Sequence, residues 1–408
     1  MRVLVIGTGG REHALAAALA KDAEVTEVVA APGNPGIAQV ARLAEVDPLD
    51  PTAVAELAVR ELADLVVIGP EAPLVAGVAD AVRERGIPTF GPSKQAAQLE
   101  GSKTFAKEVM LAAAVPTAGA ITAESEEQIQ AALDRFEAPY VVKNDGLAAG
   151  KGVVVTDDRA VAEAHARECG RVVIEEYLDG PEVSLFVVTD GEAAIPLLPA
   201  QDFKRIGDGD TGPNTGGMGA YTPLPWAEAD LVPTVMRTVV EPTLAEMRRR
   251  GTPFSGLLYV GLAITKSGPK VIEFNARFGD PETQVVLSLL ETPLAGLLLA
   301  AATGALAAHP PLSWSADSAV TVVVAAAGYP AAPRLGDVIT GAEAAGVFHA
   351  GTGVRDGALT ATGGRVLACT ATGRDLAEAR LNAYHLVDQI KLDGMQFRTD
   401  IALKAAEL

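Results

Sequence analysis

The stretch Val141–Val155, VVKNDGLAAGKGVVV, decides how the chain is read, because it looks like a phosphate loop yet breaks the rules of the best-known one. A Walker A loop places four residues between its first glycine and a Gly-Lys pair, closes on Ser or Thr, and joins a strand to a helix. Here three residues separate Gly146 from Gly150, and Lys151 is followed by Gly152, so no hydroxyl is available for magnesium. Both flanks, YVVK and VVVT, are strand-like, which predicts a hairpin with a glycine tip. Such a tip can fold over phosphates and offer backbone N–H groups without side-chain obstruction. Lys143 in the strand and Lys151 in the tip would supply positive charge. An ordinary glycine-rich surface hairpin fits the local pattern as well, so the surroundings must decide.

Two further stretches lie downstream. In VVIEEYLDGPE (172–182) an apolar strand runs straight into acidic residues and a turn, which alone is more simply a strand end with solvated charges. In KVIEFNARFGDPE (270–282) the two-residue period of a strand puts Glu273 and Asn275 on one face. A carboxylate and an amide oxygen suit magnesium that also holds nucleotide phosphates. Arg277, two residues on, extends that spacing and can stabilise charge on a transferring phosphoryl group. The bland alternative is a strand with a polar edge.

Upstream, the first hundred residues alternate strand and helix patterns, from RVLVIG and REHALAAALAK to ADLVVIGPEAPLV, AGVADAVRERG and IPTFG. That alternation implies a parallel sheet covered by helices on both faces, with ligands at the carboxyl ends of the strands. Those ends read GTGGRE, APGNPG and GPEAPL. A mostly helical stretch follows to Pro116, then an α+β unit, returning strands around the loop-rich QDFKRIGDGDTGPNTGGMGAYTP, and a C-terminal region with the helix RDLAEARLNAYHLVDQI.

The bulk numbers bound the function. A chain of 408 residues, 49% apolar, suffices for several domains with sizeable cores. A net charge of −19 argues against nucleic acid, which needs a basic surface. Two distant cysteines, Cys169 and Cys369, form no disulfide framework or metal motif and are expected to be inert, as suits a reducing cytoplasm. No leader peptide or membrane-length apolar run is apparent, which predicts a soluble, cytoplasmic protein. His165, His309, His349 and His385 lack zinc spacing and are expected to be structural. His13 reads equally as a phosphate contact or a helix-surface residue.

Lysine strand and glycine loop, acidic hinge, then metal strand: this order resembles the ATP-grasp superfamily. VLVIGTGGREHALA, APGNPG, GPEAPLV, GPSKQAAQLEGSK, DGLAAGKGV, DTGPNTGGMGAY, EFNARFGDPETQ and GGRVL together resemble the phosphoribosylamine–glycine ligase (glycinamide ribonucleotide synthetase) family over nearly the whole chain. The resemblance implies an α/β and α+β multidomain fold. Residues 1–102 would form an N-terminal parallel-sheet, pre-ATP-grasp domain. Residues 103–119 and 190–325 would form the large ATP-grasp lobe, 120–189 the small lid lobe, and 326–408 a small C-terminal α+β domain.

The implied reaction joins glycine to 5-phosphoribosylamine with ATP and Mg2+ or Mn2+, through glycyl phosphate, in purine biosynthesis, in a monomer or weak dimer. Lys103, Lys143, Gly146, Gly150, Lys151 and Gly152 would hold the ATP phosphates. Glu175, Glu176 and Leu178 would hold the adenine edge through their backbone, and Glu182 the ribose hydroxyls. Glu273 and Asn275 would bind the metal, with Arg277 and Lys143 serving the chemistry. The first domain would take the phosphosugar with Gly9, Gly10, Glu12, Asn34 and Glu71. Asp202, Lys204 and the loop Thr211–Gly219, with Asn214, Gly217 and Met218, would close the pocket, and Asp280 would receive the glycine ammonium. Two departures stand out: Asn144 where a small residue is expected, and a segment between Val155 and Val172 shorter than the family pattern, which predicts a reduced lid. No Ser/His/Asp or Cys/His set has persuasive spacing, which fits a reaction needing no enzyme nucleophile.

Three rivals remain. A dinucleotide enzyme lacks the third glycine, replaced by Glu12, and lacks an acidic residue ending the second strand. Another ATP-grasp ligase or carboxylase is disfavoured by DTGPNTGGMGAY. A non-catalytic nucleotide sensor would not need Glu273, Asn275 and Arg277 together.

Overall fold

Arg2–Gly7 (β1) is the centre of the first unit, and its alternate residues fill opposite sides of a sheet. Leu4 and Ile6 pack with Val54 and Leu57 of the helix Pro51–Arg60, while Val3 and Val5 pack with Leu15 and Leu19 of the helix Gly10–Ala20 (α1). The neighbours are β2 (Glu27–Pro32), β3 (Arg42–Leu43), β4 (Leu65–Ile68) and β5 (Thr89–Phe90), in the order β3-β2-β1-β4-β5. Every pairing is parallel. A parallel sheet buried on both faces is what the near-continuous apolar strands dictate. The computed structural model describes residues 1–147 and 152–408.

The hairpin around the glycine loop is present as β7 (Tyr140–Asn144) and β8 (Val153–Thr156), completed by β6 (Ala120–Ala123) and β9 (Val172–Glu175) in the order β6-β9-β7-β8. Helices Glu126–Arg135 and Arg159–Cys169 cover one side through Ile129, Leu133, Ala162 and Ala166. Asn144 pairs with Val172 at the strand end and is accommodated there.

Strand β10 (Glu182–Thr189), expected within the small lobe, belongs to another sheet. It pairs along its whole length with β16 (Gly256–Thr265), in the order β11-β10-β16-β17, where β11 is Ala194–Pro196 and β17 is Gly268–Asn275. The large-lobe boundary at residue 325 likewise cuts through a sheet. The order β12-β15-β18-β22-β19 joins Gln201–Asp202 (β12), Gly219–Thr222 (β15) and Ser318–Ala325 (β18) to Arg365–Gly373 (β22) and Val347–His349 (β19). In both cases apolar patterning identifies a strand but not its partner, because the partners are distant in sequence. The loop-rich segment also carries a small hairpin of β13 (Arg205–Gly207) and β14 (Thr211–Asn214). After β4, Glu71 opens a short helix, Glu71–Ala76. Among the described residues, no helix is long and apolar enough to cross a membrane.

Candidate active site

The units meet around a cleft of about 950 Å³. One end of it begins at the lysines. Lys143 on β7 donates to the carbonyl oxygen of Ile272 on β17 (2.9 Å) and pairs with Glu175 on β9 at 2.9 Å. Glu175 also holds Lys107 at 3.2 Å. One buried carboxylate thus fixes two ammonium groups and ties the small sheet to the strand that carries Glu273. Lys103 opens the helix Lys103–Ala112 and donates to the carbonyl oxygen of Gly146 at 2.9 Å. Burial, assisted by Lys143 and opposed by Glu273, lowers the Lys103 pKa. Gly146 and Gly152 line the cleft with Glu176, Leu178 and Glu182. The Glu176 N–H is spent on the carbonyl of Gly119 (2.9 Å). Gly150 and Lys151 lie outside the described residues.

A charged cluster follows. Lys204 donates to Glu182 at 2.5 Å. Burial lowers the Lys204 pKa, but Glu182 and Asp202 outweigh it and raise the group well above its ordinary value. The Asp202 carboxyl is pushed up to about 8 by burial and by Glu282, Glu182 and Glu273, against the pull of Lys204. Glu273 behaves oppositely. Burial raises it, yet Lys204, Lys143 and Lys103 outweigh burial and hold it below the usual carboxylate range. Asn275 donates to Glu273 at 3.4 Å, so the two expected metal ligands do share one face of β17. Among the described residues, no group of three or more His, Cys, Asp or Glu is disposed to hold a metal. A divalent ion at Glu273 and Asn275 would therefore complete its shell with phosphate oxygens or water.

Arg277 lies two residues past the end of β17, spread between two carboxylates: Glu71 at 3.0 Å and Glu100 at 3.0 Å. Burial opposes its charge, and Glu100 and Glu71 outweigh burial and raise its pKa. Burial also pushes Glu71 up, but Arg277 and Arg11 hold it down at about 2. Glu100 goes the other way, up to about 7, because burial and Glu71 outweigh Arg277. Its carboxylate also accepts the N–H of Ala276 at 2.7 Å. Asp280 accepts the Arg11 N–H (3.4 Å) and the Gln284 amide (3.1 Å), and lies 3.6 Å from Arg365. Burial raises its pKa, and Arg365 and Arg11 outweigh burial to lower it. Asn214 lines the same wall.

Several expected substrate contacts face elsewhere. The Glu12 carboxylate accepts the Gly9 N–H at 2.5 Å and the Arg11 side chain at 2.5 Å, and is almost fully buried. A Cβ added at Gly69 would lie 2.1 Å from that carboxylate. The Gly9 N–H at the start of α1 is therefore already taken by a protein carboxylate, and Gly9 and Gly10 do not line the cleft. Asn34 donates to the carbonyls of Thr8 and His349 and accepts from Gly36 and Ile37, so its hydrogen-bonding capacity is spent inside the protein. Met218 is fully buried, and Gly217 packs against Pro281. His13 is not on the surface: its Nδ1 accepts the His349 N–H at 2.8 Å, and burial with His349 drives its pKa to about 3. Cys369 is buried, its thiol pushed up to about 12. Cys169 does have a base beside it, since His165 is one helical turn away at 3.6 Å, but burial raises the thiol pKa.

The residues missed at the sequence level are Arg11, Glu100, Lys107, Asp145 and Arg365. All but Lys107 lie inside motifs already singled out. Lys107 carried one signal, its position one helical turn after Lys103.

Comparison with known proteins divides the chain into three matches. Residues 1–100, 101–283 and 319–404 match the N, ATP-grasp (A) and C domain models of phosphoribosylglycinamide synthetase. The chain is 65% identical to a phosphoribosylamine–glycine ligase of Streptomyces coelicolor, covering 100% of both sequences. The phosphoribosylamine–glycine ligase of Thermotoga maritima has a crystal structure similar to this one, with a TM-score of 0.86 at 35% identity, covering 98% of this chain and 100% of that one. The biotin carboxylase domain of Hydrogenobacter thermophilus 2-oxoglutarate carboxylase shares the fold at 16% identity, with a TM-score of 0.72 over 97% of this chain and 91% of that one.

Proposed function

This chain belongs to the phosphoribosylglycinamide synthetase family, as an ATP-dependent C–N bond-forming ligase of purine biosynthesis, and from that premise we propose how its cleft joins glycine to 5-phosphoribosylamine. A carboxylate is a poor electrophile. Transfer of the γ-phosphoryl of ATP to the glycine carboxylate makes glycyl phosphate and ADP. The amine of phosphoribosylamine then attacks the acyl carbon, phosphate departs with the bonding pair, and the amine loses a proton. Neither step uses an enzyme nucleophile, so positioning and charge neutralisation carry the rate.

ATP sits with its phosphates against Lys103 and Lys143, its adenine at the Tyr177–Leu178 hinge backbone and its ribose at Glu182. Glu273 and Asn275 fit magnesium or manganese, because both offer hard oxygen donors and Glu273 is kept ionised. When bound, such an ion would neutralise phosphate charge. Arg277 faces the acyl phosphate, Asp202 and Lys204 border the shared pocket, and Asp280 receives the glycine ammonium. The phosphosugar lies toward Arg11 and Glu71. The small lobe, β6 to β9, acts as the lid, and the chain works in the cytoplasm as a monomer or weak dimer. The observation that carries this reading is the convergence of Lys103, Lys143, Glu273, Asn275 and Arg277, from a helix, from β7, and from β17 and the segment after it, on one cleft.

Phosphate release from ATP, with glycine, magnesium and freshly generated phosphoribosylamine each omitted in turn, tests it. Release should require every component. Equal hydrolysis without glycine would defeat the reading.

A further inference from the structure

Beyond these groups, the C-terminal sheet sends a side chain of its own into the cleft. Arg365, the first residue of β22, donates from Nη1 to the carbonyl oxygens of Gly216 (2.6 Å) and Asp280 (2.5 Å). The same nitrogen lies 3.6 Å from the Asp280 carboxylate. The fit at Gly216 is close. A Cβ built there would stand 2.9 Å from Cζ of Arg365, so only glycine lets the guanidinium lie against the backbone. The other end of Gly216 is held by the same unit, since its N–H donates to the Tyr329 hydroxyl at 3.0 Å. The Tyr329 ring packs on Gly364, beside Arg365, where a Cβ would meet it at 2.2 Å. Two side chains of the C-terminal unit thus clamp one glycine of the substrate loop at its N–H and its C=O. One of them also fixes the backbone that aims Asp280.

We propose that Arg365 is a positioning residue for ligation: acting through Asp280 and the Gly216–Gly217 turn, it sets where the glycine ammonium is received. The inference rests on the reading of Asp280 as the ammonium site. One guanidinium nitrogen offers two N–H groups fixed in the guanidinium plane, one for each carbonyl, whereas a lysine ammonium is a rotating point charge on a flexible stem and holds no such plane.

Steady-state kinetics on the full-length protein, varying glycine, ATP and phosphoribosylamine separately, tests it with Arg365→Lys, Tyr329→Phe and Asp280→Asn. Arg365→Lys should raise the glycine KM about ten- to a hundredfold, as a misplaced contact does, and leave the ATP KM close to wild type. Tyr329→Phe keeps the ring and removes the hydroxyl, so it should move the glycine KM the same way by less. Arg365→Lys combined with Asp280→Asn should cost less than the two singles summed, because the residues act as one unit. If Asp280→Asn raises the glycine KM while Arg365→Lys and Tyr329→Phe leave it unchanged, the Asp280 reading stands and the Arg365 inference is wrong. A fall in kcat alone, with every KM unchanged, also overturns it. If Asp280→Asn leaves the glycine KM untouched, the Asp280 assignment falls and takes this inference with it.

Discussion

Arg277 holds an ion-pair network together and, in the proposed mechanism, also serves the chemistry. Its guanidinium is mostly buried between Glu71 and Glu100, so Arg277→Ala leaves Glu100 without its close cation and Glu71 with only Arg11, 4.0 Å away. Breaking such a network costs on the order of 3–5 kcal/mol, and loss of an electrostatic stabiliser typically lowers kcat by about a hundredfold or more. The two effects separate in the double variant Arg277→Met with Glu100→Gln. That variant should regain much of the lost stability in urea unfolding while kcat stays low. Recovery of kcat would mean that Arg277 only holds the fold. Glu100 makes a second prediction. Its folded pKa of about 7 exceeds the ordinary 4.5, so the folded chain binds that proton more tightly than the unfolded chain does. The stability it contributes is complete below pH 4.5 and is lost as pH rises through about 7. Wild type should therefore lose more stability between pH 5 and pH 8 than Glu100→Gln does, read as the shift in urea midpoint. Asp202 titrates over a similar range but is common to both proteins. Identical pH slopes would show that Glu100 does not titrate there.

At the scale of elements, the hairpin, the strand carrying Glu273 and Asn275, and the parallel sheet were legible because each is written in local periodicity and composition. Glu273 and Asn275 follow from the two-residue period of β17. What joins elements was not legible. Asp145 opens the glycine loop, and nothing local marks it as more than a turn residue. In the fold its carboxylate accepts the Thr104 N–H (3.2 Å), the Ser102 hydroxyl (3.2 Å) and the Thr104 hydroxyl (2.7 Å), and pairs with Arg171 at 2.8 Å. It therefore ties the loop base to the start of the helix Lys103–Ala112, beside the Lys103 contact with Gly146. Burial raises its pKa, but the bonds from Thr104 and Ser102 outweigh burial and keep it ionised. These partners lie some forty residues away in sequence, beyond any periodicity. Asp145→Ala should cost about 1–2 kcal/mol, as loss of a helix-capping carboxylate does, and raise the ATP KM while sparing the glycine KM. A melting curve and ATP titration check both, and an unchanged ATP KM would show that the loop base needs no such anchor. Glu12 makes the converse point. Its departure from the dinucleotide pattern was visible, but its physical meaning, a carboxylate already occupying the helix start, required the fold.

At the scale of the molecule, the cleft depends on a sheet that crosses the expected boundary between lobes. β18 is buried along all eight residues and is hydrogen-bonded to β15 on one side and β22 on the other. The C-terminal segment returns to the β13–β14 hairpin as well. Arg398, fully buried, pairs with Asp210 at 2.6 Å and stacks its guanidinium 4.8 Å from the Phe203 ring, between the cleft residues Asp202 and Lys204. Asp400 accepts the Gly209 N–H at 2.8 Å. Residues 326–408 are therefore built into the core of the ligase rather than appended to it. Removing them would leave β18 as a long apolar edge, an invitation to intermolecular pairing, and would strip Phe203 and Asp210 of their cation. The truncated chain should therefore aggregate and lack ligase activity, measured by size exclusion and phosphate release. A monomeric, cooperatively unfolding fragment would instead establish the C-terminal region as an independent domain. In that case the shared sheet would be a docking surface between two folded bodies, and the clamp on Gly216 would act across an interface rather than within one core.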